Sequence, residues 1–248
     1  MNMGLFSDLQ DYLDIARRTQ TSGDLKSATA AFACVLGFDY FGLLHHVDFS
    51  TPQASAIRIG NYPSVWTEIM EERRYFRDDP ILTACQRTVS GFQWRNIESL
   101  VEMTPRQREI RGAGAEAGLG DGYTVPLHLP GDFEASCSFG LIGPRPAPIE
   151  TFPAAQYVAC FAFEQARRLM SLEQTRGRAP RLTPRQLDCL VLSARGKSAS
   201  VAGELLGISS ETVYEHLAEA KRRYGVATIQ QLTVKALHDS QIAFADLL

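Results

Sequence analysis

The sequence predicts an α+β fold, with an N-terminal α-β-α sandwich followed by an all-α, four-helix domain. Three observations carry that expectation. Between residues 40 and 142, strand-like runs come in pairs with helical segments grouped between them. From Leu182 onward the pattern changes to short, closely spaced helices with their own start and stop signals. Between these regions, residues 171–181 (SLEQTRGRAPR) are polar and basic, with Gly and Pro and no apolar period. Domains are therefore expected at 1–170 and 182–248, joined by a linker over 171–181.

Leu5, Leu9 and Leu13 recur at helical spacing, as do Leu25, Ala28, Phe32 and Leu36, where Gly37 is the stop. Residues 40–46 and 54–60 read as strands joined by a turn-rich loop. Residues 63–73, 80–88 and 105–117 read as helices, and 123–128 and 135–142 as strands flanking a turn at Pro130-Gly131. A helix over about 152–170 carries Tyr157, Cys160, Phe161 and Phe163. Its apolar surface extends over much of the circumference, enough to pack on its own domain and leave a surplus for a partner chain.

In the second region Thr183 with Gln186 forms a capping box, and Pro184 sits where a missing N–H costs nothing. Leu187, Leu190, Val191 and Ala194 form the apolar seam, ended by Gly196. Ser198 starts a helix through Val201, Ala202, Leu205 and Leu206, closed by Gly207. Ser209 caps a third helix with seam Val213, Leu217, Ala220 and Tyr224, stopped at Gly225; Thr228 with Gln231 opens a fourth. Helix, tight turn and second helix are what insertion into a DNA major groove requires. The third helix offers Ser209, Ser210, Glu211, Thr212, Tyr214, Glu215, Ala218, Lys221 and Arg222 to DNA. A small bundle that docks on protein is the plainer alternative.

Net charge is −3, but it is uneven: eight basic residues face seven acidic ones from Arg181 onward, against 17 and 21 before it. A head of charge +1 makes few phosphate contacts, so one copy should bind DNA weakly and two copies on a two-fold site are expected. The five cysteines are odd in number and widely spaced, without a CxxC or Cys/His cluster, which excludes a disulfide framework or zinc site. They read as buried free thiols. The N-terminus lacks a signal-peptide pattern and no segment is long enough to span a membrane, so the expected location is the cytoplasm.

The helical region from Leu182 to about Ile242 resembles the C-terminal domain of LuxR-type regulators, matching at Thr183, Pro184, Leu190, Gly196, Lys197, Gly207, Ile208, Ser209, Thr212, Val213 and Leu217. Gln186 stands where that family usually has Glu. The first domain resembles the family's acyl-homoserine-lactone-binding domain through Trp66, Asp79-Pro80 thirteen residues on, Trp94 fifteen beyond that, and Gly122 ahead of a TVPLH strand. Read from the residues alone, both tryptophans could be core, Asp79 a helix N-cap, Gly122 a turn residue and Ser138 an ordinary strand residue.

The resemblance implies a ligand site of Tyr62, Trp66, Met70, Asp79, Pro80, Trp94, Gly122 and Ser138, with Tyr40 and Leu44 of the first strand. Its chemistry suits an uncharged acyl lactone. An indole N–H (Trp66) donates to the lactone carbonyl, a carboxylate (Asp79) accepts from the amide N–H, and hydroxyls (Tyr62, Ser138) serve the amide carbonyl. Trp94 and Pro80 are expected as walls. Met70 breaks the pattern, since the family nearly always has Tyr four residues after the Trp; this leaves the acyl class, or a non-lactone signal, open. The implied protein is a ligand-responsive transcription regulator that binds double-stranded DNA as a homodimer, with RNA polymerase a candidate further partner and no cofactor or metal. For an enzyme, His45, His46 and His128 are the candidate bases and Cys137 the candidate nucleophile, but no nucleophile elbow or metal-ligand spacing accompanies them. A phosphorylated response regulator would need an acidic cluster at the end of a first strand near the N-terminus, where this sequence reads as helices up to Gly37, and a ligand-independent regulator would not need Trp66 and Asp79 together.

Overall fold

The computed structural model describes residues 3–47, 56–129, 132–173 and 180–248. Residues 48–55, which cover most of the expected loop and the first two positions of the strand expected over 54–60, the Pro130-Gly131 turn and residues 174–179 of the expected linker lie outside the described residues. The chain divides into two compact units, Met1–His128 with Phe133–Gln174, and Leu129–Asp132 with Thr175–Leu248.

The first unit runs α1 (Met3–Arg18), α2 (Ser22–Val35), β1 (Tyr40–His45), β2 (Arg58–Gly60), α3 (Ser64–Glu72), α4 (Pro80–Cys85), β3 (Phe92–Gln93), α5 (Pro105–Glu116), β4 (Leu119–Leu127), β5 (Ala135–Ile142) and α6 (Phe152–Glu173), with short 3-10 helices between some of them. The five strands form one antiparallel sheet in the order β2-β1-β5-β4-β3. Strand periodicity sorts the side chains onto two faces. Phe41, Leu43, Tyr123, Val125, Cys137, Phe139 and Leu141 join α1, α2 and α6 in the main core. Their neighbours Gly42, Gly122, Thr124, Ser136, Ser138 and Gly140 lie in register with one another on the other face. Small residues there leave space beneath α3, α4 and α5. A smaller core of Ala84, Cys85, Phe92, Trp94, Ile97, Val101 and Met103 closes one side of that space.

Element boundaries differ from the sequence reading where the sheet overrides local pattern. β4 begins at Leu119, four residues before the expected strand, because pairing with β5 carries the glycine-rich segment into the sheet. The helix expected over 80–88 stops at Cys85, and the two-residue β3 has no readable alternation. The cysteine expectation is corrected in part: all five are free, but Cys34 and Cys160 are exposed, on helix faces turned to solvent.

The described residues of the second unit contain α7 (Pro184–Ala194), α8 (Ala199–Leu206), α9 (Ser210–Tyr224), α10 (Ile229–His238) and a 3-10 turn at Phe244–Asp246. Thr183 and Thr228 make reciprocal capping boxes with Gln186 and Gln231, and Ser198 and Ser209 cap α8 and α9. Gln186 is almost fully buried while its amide oxygen accepts from the Thr183 N–H at 3.0 Å. A neutral amide does there what Glu would do with a buried charge. Leu190, Ala202, Val213, Leu217, Ala220, Tyr224, Leu232 and Ala236 form the core. Val201 and Leu205, read as part of the α8 seam, are instead exposed, because α8 is only two turns long and packs through Ala202 and Gly203. Gly203 is required by close approach: a Cβ there would lie 2.6 Å from the Ile208 carbonyl oxygen in the turn to α9.

Candidate functional site

In the first unit, the space between the small-residue face of the sheet and α3–α5 is a cavity of about 410 Å³, within the ~300–1,000 Å³ usual for small-molecule sites. Its walls combine aliphatic groups (Leu44, Met70, Ile81, Leu82, Ile110, Leu119) with the polar and aromatic residues Tyr62, Trp66, Asp79, Trp94, Arg111, Ser136 and Ser138. Seven of the ten expected ligand-site residues therefore meet: Leu44, Tyr62, Trp66, Met70, Asp79, Trp94 and Ser138. Tyr40, Pro80 and Gly122 do not line the cavity. Tyr40 stands behind Tyr62, ring centroids 6.1 Å apart; Pro80 is buried at the start of α4; Gly122 backs Trp94.

Glycines set the depth of the site. A Cβ at Gly42 would fall 2.4 Å from the Tyr62 ring, and one at Gly122 2.7 Å from the Trp94 ring. Both rings can thus lie against the sheet only because the backbone beneath them is bare. Trp94 Nε1 donates to Thr124 Oγ1 at 2.8 Å, and that hydroxyl is hydrogen-bonded to Ser138 Oγ at 2.7 Å. Trp94, expected as wall alone, is therefore also a hydrogen-bonded anchor. Burial pushes the Tyr62 phenol up from its ordinary value, partly offset by Ser138.

Asp79 is both a helix cap and a cavity residue. Its Oδ1 accepts from the Ile81 N–H at 2.8 Å, capping α4. Burial raises its carboxyl to about 6, while the Ile81 N–H and the Arg111 guanidinium pull it down. Trp66 sits on α3, which has no buried residue of its own, and its ring faces Gly114 of α5. Among the described residues its indole N–H has no hydrogen-bond partner, so a donor and an acceptor face the same space.

Nothing in the sequence pattern points to Arg111, Thr124 or Gly42. Arg111 lies one turn before Gly114 on α5, with its guanidinium carbon 5.9 Å from the Trp94 ring centroid. The histidines have structural partners. His45 Nδ1 accepts from the Ile57 N–H, His46 Nε2 is hydrogen-bonded to Ser136, and His128 Nε2 to the Cys85 carbonyl. Burial pushes the Cys137 thiol up, the opposite of nucleophile activation. Among the described residues no group of three or more His, Cys, Asp or Glu could hold a metal, and no helix is long and apolar enough to cross a membrane.

The second unit offers a separate surface along α9. Tyr214, Glu215, Ala218 and Arg222 are exposed, opposite the buried seam Val213–Leu217–Ala220–Tyr224. Ser209, Ser210, Glu211 and Thr212 cluster at the N-terminus, where Ser209 Oγ accepts from the Thr212 N–H and Ser210 Oγ donates to Glu211. Arg223 is held by Glu219 and by the Arg181 carbonyl. Lys221 and Arg222 make no ion pair among the described residues.

A small-molecule cavity in one unit and a helix-turn-helix in the other define a ligand-responsive transcription regulator. Sequence comparison agrees: residues 21–166 match the autoinducer binding domain, and 180–236 match the bacterial regulatory proteins of the luxR family. The transcriptional activator BjaR1 of Bradyrhizobium diazoefficiens is 31% identical over 172 residues, 69% of this chain and 70% of that protein. The transcriptional activator AhyR of Aeromonas hydrophila is 24% identical over 88% of this chain and 85% of its own length. The crystal structure of SdiA from Escherichia coli has the same fold, with a TM-score of 0.69 at 21% identity over 96% of this chain and 99% of that one. The chain belongs to the LuxR family of quorum-sensing transcription regulators.

Proposed function

We propose that the cavity holds an N-acyl homoserine lactone and that occupancy controls DNA binding by a homodimer. The observation that supports this best is the meeting of an unpartnered indole donor (Trp66), a carboxylate acceptor (Asp79) and hydroxyls (Tyr62, Ser138) in one partly enclosed cavity with aliphatic walls. An acyl lactone carries one amide N–H, several carbonyl oxygens and a hydrocarbon chain, so each of its parts meets a matching wall. Asp79 accepts the amide N–H, Trp66 donates to the lactone carbonyl, and the Tyr62 hydroxyl serves the amide carbonyl beside Ser138. Domains 1–170 and 182–248 joined by 171–181 are the working division for these roles.

For DNA, α9 is the reading helix, with Glu215 and Tyr214 toward bases and Lys221 and Arg222 toward phosphates. Tyr157 and Cys160 on the outer side of α6 are exposed, which supports a second copy packing there. A non-lactone amphiphile is the second reading, favoured by Met70, which lines the cavity without a hydroxyl. The test is thermal unfolding of the full chain with acyl lactones of graded length, paired with binding to candidate operator DNA. A saturating ligand at a hundredfold excess over its Kd adds about 2.7 kcal/mol. Unchanged melting across the lactone series would defeat the lactone reading, and protection by a monoacylglycerol alone would favour the second.

A further inference from the structure

The geometry points to Arg111 as a head-group donor that selects ligands carrying oxygen acceptors at the ring, a role resting on the acyl-lactone reading above. α5 presents Arg111 and Gly114 to the cavity one turn apart. The Trp66 ring packs at Gly114, with ring carbons 3.5 and 3.6 Å from the Cβ position there, and the Trp94 ring lies beneath the Arg111 guanidinium. Asp79 lines the same cavity and acts electrostatically on Arg111. Arg111 is therefore bracketed by the residues that define the head-group end, not by the aliphatic walls around Met70 and Leu44.

Its burial and its hydrogen-bonding state together set it apart. Nearby guanidiniums are either paired, Arg58 with Glu71, Arg95 with Asp121 and Arg106 with Glu109, or, like Arg74 of the same lining, exposed to solvent. Arg111 is half-buried and, among the described residues, makes neither a hydrogen bond nor an ion pair. Burial disfavours its charge, with Asp121, Asp79 and Glu98 opposing that effect. A guanidinium carries five N–H donors in a fixed fork and accepts nothing. Lining the cavity without a hydrogen-bonded protein acceptor, its donors are left for ligand oxygens. The lactone supplies a carbonyl and a ring oxygen, and an N-acyl cyclopentylamide of the same chain supplies neither. Trp66 donates one hydrogen bond to the ring, and Arg111 adds a charged second donor from the α5 side.

The experiment measures binding of matched pairs by calorimetry on the full chain: N-acyl homoserine lactones and N-acyl cyclopentylamides with four, eight and twelve acyl carbons. Wild type should prefer the lactone by about tenfold or more, because a buried donor left unpaired is penalised. R111M should lose about a factor of ten of that preference through weaker lactone binding, with cyclopentylamide affinity little changed. R111K, which keeps the charge but not the fork, should fall between and provides the same readout if R111M does not fold. Lactone binding with an undiminished preference in R111M and R111K overturns the Arg111 role and leaves the lactone reading standing. Binding of neither member of any pair to wild type overturns both.

Discussion

Replacing Asp79 with Asn should move stability and ligand binding in opposite directions. In the unliganded protein burial lifts the Asp79 carboxyl from 3.8 to about 6. A carboxyl whose folded value lies above its unfolded value contributes stability below the unfolded value and loses it as pH rises through the folded one. About two pH units at ~1.36 kcal/mol each put the cost of ionised Asp79 near 3 kcal/mol at pH 8, an upper figure because the residue keeps some exposure toward the cavity. Asn is neutral, nearly isosteric and about as good an N-cap as Asp, so the bond from the Ile81 N–H survives. Urea unfolding of ligand-free D79N at pH 8 should therefore give about 1–3 kcal/mol more stability than wild type, and that gain should vanish below about pH 4. Ligand binding at pH 8 should weaken by about 1–3 kcal/mol, since the amide N–H then meets a poorer acceptor. Wild-type affinity should also fall as pH drops through 6, while D79N stays flat. Ligand-free D79N less stable than wild type at pH 8, or identical pH profiles for binding, would refute the reasoning.

The remaining expectations concern packing, DNA and assembly. G42A places a methyl 2.4 Å from the Tyr62 ring; expelling that ring should cost about 1–3 kcal/mol of stability and reduce ligand response, read by thermal unfolding with and without ligand, and wild-type values in both would remove Gly42 from the site. Binding-site selection with E215A should lose preference at cytosine-containing positions, while K221A should weaken all sequences alike and lower the salt slope by about one; the opposite pattern would exchange the two roles. Two copies on a near-palindromic operator should read half-sites about 10 bp apart, and inserting half a helical turn should abolish tight binding in gel-shift assays. Unchanged affinity there, or one chain per operator by sedimentation, would rule out the two-fold dimer.

Much of this protein is written locally. The capping boxes at Thr183 and Thr228, the serine caps of α8 and α9 and the glycine stops depend on residues three or four positions apart, so the helix-turn-helix is legible without a fold. Strand alternation likewise separates Cys137, Phe139 and Leu141 from Ser136 and Ser138 before any sheet is drawn. The spacing of Trp66, Asp79 and Trp94 points to a ligand domain only through its resemblance to the LuxR-type family.

Only the tertiary structure decided which of those residues share a space. Asp79 reads as a helix cap or as a ligand acceptor from sequence, and in the fold it caps α4 while lining the cavity. Trp94 gains its Thr124 partner across 30 residues through strand register, and Val201 and Leu205 lose theirs because α8 has too few turns to bury them. Arg111 and Gly42 leave no local signal at all. What matters about them is what a separate element brings close, a Trp94 ring or a Tyr62 ring, and no period within one segment records that contact. Local hydrogen bonds and alternation are short-range and survive in the linear code, whereas a cavity is the volume left between elements distant in sequence, so its lining is known only once they pack.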